Sequence, residues 1–418
     1  KDEKDAEIRY GNSLIPHSPT GREPGDQLAG QQHTFDYMLS NPPFGVTWGG
    51  KDGYEKEAKK FKSTRYSAGM PRTNDGALLF LQTMLAKMKP AKTGGSRIAI
   101  IFNGSPLSNG DCGSGESEIR RWILEHDFLV VIVVLPHQLV YYSGIYPYVL
   151  QLTITKQKSH NNQVMLVDAR KQFEKEPKSF GNKRHRITDE HRQWIKEKHQ
   201  NGWESGYKDE SVKLFNFTDF AFHKVSVVFW QTDENDDPAM ITESYTKAFT
   251  PANIKKEQEF FDSDIQFDIQ LRSGQTEASI SFTLKPDASF TTEYDRRVKK
   301  AFSDDIKTLT KGMETAKTKN QAIKQFIKAL VADIQYTHRH YVGDHEYIPY
   351  GEDIATFLKR EIGKPIIRWN DSPQLGYEIL PNKYFYQYTP PKPADELLKE
   401  FWELEEEATG MIKRLNIC

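Results

Sequence analysis

FDYMLSNPPF, residues 35–44, is the stretch from which this chain is read. Residues 35–39 form a short, largely apolar run of strand length, and the run stops at Asn41-Pro42-Pro43-Phe44. A proline has no N–H and fixes its own φ, so two in succession end a strand and stiffen the backbone beyond it. The motif therefore stands at the carboxyl end of a buried strand, where open α/β sheets place their ligands. Asn41 offers a side-chain carbonyl, Pro42 a fixed backbone carbonyl and Phe44 an aromatic face. Such a set can hold a planar amino group, two carbonyls accepting its hydrogens while a ring stacks on its plane. The same residues also fit a plain strand end in which Asn41 forms a turn.

Outward from the motif the pattern is regular. Residues 76–89 predict a helix with Ala77, Leu78, Leu81, Met84, Leu85 and Met88 on one face. Residues 97–102, 128–135, 148–155 and 164–167 predict strands, with a helix over 117–126. Helices alternating with continuously apolar strands predict an α/β fold with a mostly parallel sheet covered on both faces; the two consecutive strands suggest an antiparallel edge. Beyond about residue 170 the pattern loosens. A polar helix is expected over 189–199, β-like runs over 225–230 and 278–284, a helical stretch over 307–334, and a final helix from near Pro393. The domains read as 1–170, a mixed α/β insertion or linker over 171–340, and a C-terminal region over 341–418 that ends in a helix.

With 418 residues, two or three domains are expected. Hydrophobic residues at 37% and charged residues at 28% describe a globular chain, not a disordered one. The longest apolar run, 128–135, is too short to cross a bilayer as a helix, and no leader is expected before the first structured segment. Two distant cysteines, Cys112 and Cys418, exclude a disulfide framework and suit a reducing cytoplasm. His338, His340 and His345, with Asp344 and Glu346, match no zinc spacing, so they read as a polar loop and no metal is expected. Lys and Arg total 57 against 58 Asp and Glu. A protein that grips duplex DNA unaided is usually basic, so a DNA-directed role here calls for a partner that supplies much of the grip. Charge is uneven: residues 171–186 are basic, either a phosphate track or a solvated face, and 395–407 are acidic. In the last helix Leu397, Phe401, Leu404, Ala408, Met411 and Leu415 alternate by four and three, a narrow seam for the chain's own core or a helical partner.

An Asn-Pro-Pro-aromatic motif after a strand of such a sheet resembles the catalytic motif of S-adenosylmethionine-dependent amino-methyltransferases. Further stretches resemble the DNA-adenine methylase (modification) subunits of type I restriction–modification systems. They are FDYMLSNPPFGVTW (35–48), NDGALLFLQTMLAKMKP (74–90), GGSRIAIIFNGSPLSNGDCGSGESEIRRWI (94–123), LPHQLVYYSGI (135–145), KSFGNKRHRIT (178–188) and GYEILPNKYFYQY (376–388). The resemblance implies a Rossmann-like methyltransferase sheet whose first strands are absent here, followed by a mixed α+β region and a C-terminal helix. It also implies methyl transfer from S-adenosylmethionine to adenine N6 in duplex DNA after base flipping. Asn41 and the carbonyl of Pro42, stiffened by Pro43, would hold the amino group while Phe44 stacks on the ring. Tyr141 would flank the opposite face, although Val140 stands where the family more often has Phe. The implied partners are DNA, a specificity subunit docking on residues 395–418, and a restriction subunit of the same complex; the implied location is the cytoplasm.

For the cofactor, IRYGNSL (8–14) resembles the piece lying along its adenine, which makes Asn12 a binding candidate; many relatives have Asp there, and a Gly-Asn turn is the alternative. The 34 residues before Phe35 contain no strand–GxG–helix unit. DCGSGE (111–116) is a poor substitute, because eight residues separate it from Phe102, whereas a cofactor loop follows its strand at once. Two other functions stay open: methylation of another amino group, since protein-glutamine and ribosomal-guanine methylases share the motif, and a non-catalytic assembly scaffold.

Overall fold

The computed structural model describes residues 8–15, 24–29, 33–51, 53–141, 143–235, 237–246, 254, 257–274, 276–369, 372–388 and 390–415. They fall into two compact units, Lys1–Ala221 with Gly376–Cys418, and Phe222–Leu375. The boundaries read from the sequence, 170 and 340, lie inside the first and second unit respectively.

The first unit is built on β1 (Tyr37–Ser40), β2 (Arg97–Phe102), β3 (Leu129–Val134), β4 (Tyr148–Thr153), β5 (Gln163–Asp168), the hairpin β6 (Glu174–Phe180) and β7 (Lys183–Arg186), and β8 (Val212–Asn216). Its six-stranded sheet runs β1-β2-β4-β3-β5-β8. The pairs β1–β2 and β3–β5 are parallel; β2–β4, β3–β4 and β5–β8 are antiparallel. The sheet is thus mixed, not mostly parallel as expected. No helix lies between β3 and β4, and without a crossover a strand can only return antiparallel. β4 returns between β2 and β3. Even so, β1, β2, β3 and β5 share one direction, so their carboxyl ends gather at one end of the sheet.

The helix α1 (Ala77–Leu85) packs against β2 and buries Leu78, Leu79, Leu81 and Leu85. On the other face Val131, Val133, Met165 and Val167 meet Trp194 and Ile195 of α3 (Asp189–Asn201), whose start Thr188 and His191 cap reciprocally. α2 (Gly115–Glu125) is capped by Ser114. β1 ends the sheet, and its residues Tyr37 and Leu39 stand 71% and 84% exposed.

One buried cation ties the chain's late segment to this sheet. Arg120 of α2 is 3% exposed and donates to four carbonyls: Tyr377 at 2.6 Å, Asn109 at 2.8 Å, Pro106 at 3.1 Å and Gly110 at 3.5 Å. Burial pulls its pKa down to about 10, which leaves it charged at neutral pH. The Tyr377 N–H donates to Ser117 Oγ at 3.0 Å and the Ile379 N–H to the Leu107 carbonyl at 2.9 Å.

The second unit holds β9 (Ala221–Trp230), β10 (Met240–Thr246), β11 (Ile265–Ser273), β12 (Thr276–Leu284), α4 (Phe290–Ala301), α5 (Ser303–Thr310), α6 (Ala316–Ala329), β13 (Val331–Arg339), β14 (Tyr341–Pro349), α7 (Ile354–Glu361) and β15 (Ile366–Trp369). One antiparallel sheet, β10-β13-β11-β12, buries Ile265, Phe267, Ile269 and Leu271 with Phe290, Tyr294 and Val298 of α4. The strict alternation of those apolar residues is the period of a half-buried strand. A second sheet, β14-β9-β15, packs on Leu358 of α7. The expected helical stretch 307–334 is corrected. It breaks at Gly312, whose φ is 85°, resumes as α6 and ends before β13. From Val331 onward burial alternates residue by residue, which a strand satisfies and a helix does not.

The chain's last helix, α8 (Ala394–Leu415), keeps Leu397, Phe401, Leu404 and Met411 exposed. Leu398, Trp402 and Ile412 are exposed beside them, so the apolar face covers about half the circumference at 3.6 residues per turn, wider than the narrow seam expected. The Leu415 side chain lies outside the described residues.

Replacing Arg120 by Met leaves buried carbonyls without donors. The substitution is expected to destabilise the first unit by about 3 kcal/mol or more in urea unfolding. A change below roughly 0.5 kcal/mol, ordinary for a surface site, would show that the four contacts do not hold segment 376–388.

Candidate active site

The four carboxyl ends bring different pieces to one end of the sheet. β1 delivers Asn41-Pro42-Pro43-Phe44, β2 delivers Asn103, β3 the loop 135–147 with Tyr141, and β5 the hairpin β6–β7. Within the motif Pro42 is buried, Asn41 and Pro43 are exposed, and Phe44 is half-buried. Pro42 therefore roots the motif while the Asn41 carboxamide stands open to a ligand.

The loop beyond the motif is held firmly. The Trp48 and Gly49 N–H groups both donate to the Thr73 carbonyl, at 2.9 and 3.2 Å, and the Gly76 N–H donates to the Val46 carbonyl at 2.8 Å. The Trp48 indole N–H donates to the Arg72 carbonyl at 2.9 Å. Its ring is 1% exposed and packs among Leu14, Ile15, Ala58, Tyr66 and Leu79. Motif and loop are thus strung between the end of β1 and the start of α1, which fixes the acceptors before any ligand arrives.

Tyr141 lies at the same end of the sheet, 59% exposed. Its aromatic neighbour is Phe180, with ring centroids 6.5 Å apart, and the Lys183 ammonium stands 5.5 Å from its ring. Strands β2 and β4 separate β1 from β3. At strand spacings of about 4.8 Å the roots of the two loops stand on the order of 14 Å apart. The sheet brings Phe44 and Tyr141 to one end and does not stack them on each other. Asn103 was not singled out from the sequence. Its carboxamide oxygen is buried with no hydrogen-bond partner among the described residues. A lone asparagine after an apolar strand gives little signal, and only the convergence of strand ends marks it.

The cofactor candidate Asn12 sits in a turn. Its Oδ1 accepts the Leu14 N–H at 3.0 Å, and its own N–H donates to the Pro24 carbonyl at 2.9 Å. Asp26 fastens this corner: Arg65 reaches it at 3.0 Å and Lys87 at 2.9 Å. In loop 111–116 Gly115 serves packing, while Gly113, at φ 72°, faces open space. A Cβ on Gly115 would lie 1.7 Å from the Met70 carbonyl oxygen, and one on Gly69 2.7 Å from the Gly115 carbonyl oxygen. Glu116 is buried there and accepts the Arg72 N–H at 2.8 Å. In the second unit His338 is buried with Nδ1 on the Arg339 carbonyl at 2.8 Å, while exposed His345 meets Ser226 Oγ at 3.1 Å. Among the described residues no three His, Cys, Asp or Glu side chains gather as a metal site.

A family model described as N-6 DNA Methylase matches residues 1–222, just over half of the chain. The methylase subunit of the type I restriction enzyme MjaVII from Methanocaldococcus jannaschii is 24% identical over 149 residues, which make up 34% of this chain and 23% of that protein. Among solved structures, the methyltransferase subunit of a type I restriction–modification system from Streptococcus thermophilus is 23% identical, with a TM-score of 0.37, over 46% of this chain and 36% of that one. The EcoKI M protein is 24% identical, with a TM-score of 0.29, over 42% of this chain and 33% of that one.

Gly115→Ala distinguishes packing from ligand binding in loop 111–116. The added methyl is expected to lower the stability of the first unit by about 2 kcal/mol or more, read from urea melts. Unchanged stability with a weakened small-molecule affinity would assign the loop to a ligand instead.

Proposed function

The chain belongs to the N-6 DNA methylase family, and from that premise we propose that it is the modification subunit of a type I restriction–modification system, methylating adenine N6 in duplex DNA. The observation that carries the reading is the presentation of Asn41 at a strand end, rooted by buried Pro42 and backed by the anchored Trp48 loop. The sheet supports it too. Reading the six strands as the later part of a Rossmann-like methyltransferase places the Asn-Pro-Pro-Phe motif at the carboxyl end of one of its parallel strands. The side chains of Tyr37 and Leu39 leave one face of β1 open to packing.

The proposed chemistry concerns a poor nucleophile. An adenine amino nitrogen shares its lone pair with the ring. The Asn41 side-chain carbonyl and the Pro42 backbone carbonyl accept its two hydrogens and favour a pyramidal nitrogen with the lone pair aimed at the methyl donor. Phe44 stacks on the extruded base, and Tyr141 flanks it from the loop after β3. Because both acceptors are fixed beforehand, little reorganisation accompanies reaction. The donor of the family, S-adenosylmethionine, supplies an electrophilic methyl group. The described residues do not form a cradle for it. Asn12 spends its oxygen on Leu14, and the Met70 backbone packs against Gly115 of loop 111–116. Asn12 remains a contact at the cofactor's edge through its amide nitrogen.

The exposed apolar face of α8 supports docking on the helices of a specificity subunit. That partner would choose the sequence and supply much of the DNA grip that a net charge of −1 does not. A restriction subunit would join the same complex, working in the cytoplasm.

The deciding experiment is nucleoside mass spectrometry on DNA from a methylation-free host expressing the complete gene with its specificity subunit. N6-methyladenine is expected, and Asn41→Ala should lower it by about a hundredfold or more. A well-expressed complex that leaves no methyladenine would overturn the reading; product analysis of RNA and protein from the same cells would then separate another amino group from a scaffold role. Deleting residues 394–418 is expected to abolish co-purification with the specificity subunit. Undiminished co-purification would place the docking surface elsewhere.

A further inference from the structure

We propose that the hairpin β6–β7, residues 174–186, is a duplex-DNA grip in which Lys175, Lys178 and Arg184 bind backbone phosphates and Phe180 packs against the sugar–base surface. It rests on the methylation reading above and adds a surface to it.

Residues 171–186 carry six Lys and Arg, at 171, 175, 178, 183, 184 and 186, against two Glu. Both acids are already engaged: Glu174 pairs with Arg186 at 2.9 Å, and Glu176 with Lys183. Lys175, Lys178 and Arg184 stay exposed and have no acidic partner among the described residues. In a chain of net charge −1 this is a local cationic surface, and a duplex that carries one negative charge per roughly 1.7 Å is its natural complement.

A solvated basic ribbon would need no anchoring, and a two-stranded hairpin alone is barely stable in water. This one is anchored. The Arg184 and His185 N–H groups both donate to the Gln138 carbonyl, at 3.0 and 3.2 Å, from a residue held at φ 57°. His185 is buried, with Nδ1 on the His137 carbonyl at 2.8 Å and its ring against Phe173 and His137. At the other end Gly181, at φ 61°, and Asn182 turn the chain between paired Phe180 and Lys183. Phe180 is thereby held 51% exposed at the tip, edge-on to Tyr141, with Lys183 beside them. Interleaved cations and exposed aromatics suit nucleic acid better than water.

Position completes the case. The hairpin follows β5 and is pinned to the loop after β3, at the end of the sheet that presents Asn41. Three to four strand spacings from β1 are on the order of 14–19 Å. At about 3.4 Å per base step, the phosphates met would lie roughly four to six base pairs from the extruded adenine.

The test uses the complete protein with its specificity subunit and a fluorescein-labelled duplex carrying the target site, titrated by anisotropy over a salt series. Lys175→Ala, Lys178→Ala and Arg184→Ala combined are expected to weaken binding at low salt by about tenfold to a hundredfold and to reduce the log–log salt slope by about three. Phe180→Ala should weaken binding about fivefold or more with the slope unchanged. Circular dichroism matching the wild type shows that the exposed substitutions leave the fold intact. Wild-type affinity and slope in the triple variant would overturn the proposal; methylation that still depends on Asn41 in that preparation would leave the enzymatic reading standing. Loss of the specificity subunit with DNA contacts unchanged would make the hairpin a protein interface and overturn the proposal as well. A wild-type complex that neither binds nor methylates the duplex would overturn both readings together.

Discussion

Strand direction is the constraint on which the first unit depends. β1, β2, β3 and β5 point one way, and β4 returns between β2 and β3 without breaking that agreement. The Asn41 motif, half-buried Asn103, the Tyr141 loop and the basic hairpin then emerge at one end. Reverse a single one of these strands and its loop moves to the far end. Apolar residues on both faces hold the arrangement, since a one-residue slip of β3 against β4 would exchange the faces on which Val131 and Ile132 are buried.

Convergence alone would leave mobile loops, so each loop is fastened by buried polar contacts. Trp48 spends its indole N–H on the Arg72 carbonyl while its ring fills a core, a pairing that gives both burial and direction. Arg120 does the same with four carbonyls, joining residues 106–110 to the segment that returns at Tyr377. His185 closes the base of the hairpin. In each case a side chain with fixed donor geometry satisfies backbone groups that loops would otherwise bury unpaired, which is why irregular chain can be held at this end of the sheet.

The surfaces left open differ in kind. α8 presents a broad apolar face, the character of a protein interface, and the hairpin presents exposed Lys175, Lys178 and Arg184, without acidic partners among the described residues, with an aromatic tip. Near-neutral total charge conceals this division. Acidic residues concentrated in α8 balance basic ones on the hairpin, so a sum over the chain says little about what either surface meets.

The sequence by itself determined the elements whose signal is local. Two prolines end β1, leucine periodicity makes α1, unbroken apolar runs make β2 and β3, and the residues around Asn41 mark the family. It could not supply what depends on distant partners. The place of β4 in a mixed sheet, the turn from α6 into β13, and the division at residues 221 and 376 all depend on which strand finds which edge. The same holds for single residues: Gly115 reads as a loop glycine until the Met70 carbonyl is seen against it, and residues 171–186 read as a charge run until Gln138 and His137 are seen to hold them. Periodicity records which face of an element is buried. The neighbour that buries it is set by packing and hydrogen bonding between segments far apart in the chain, and only the tertiary structure decides that.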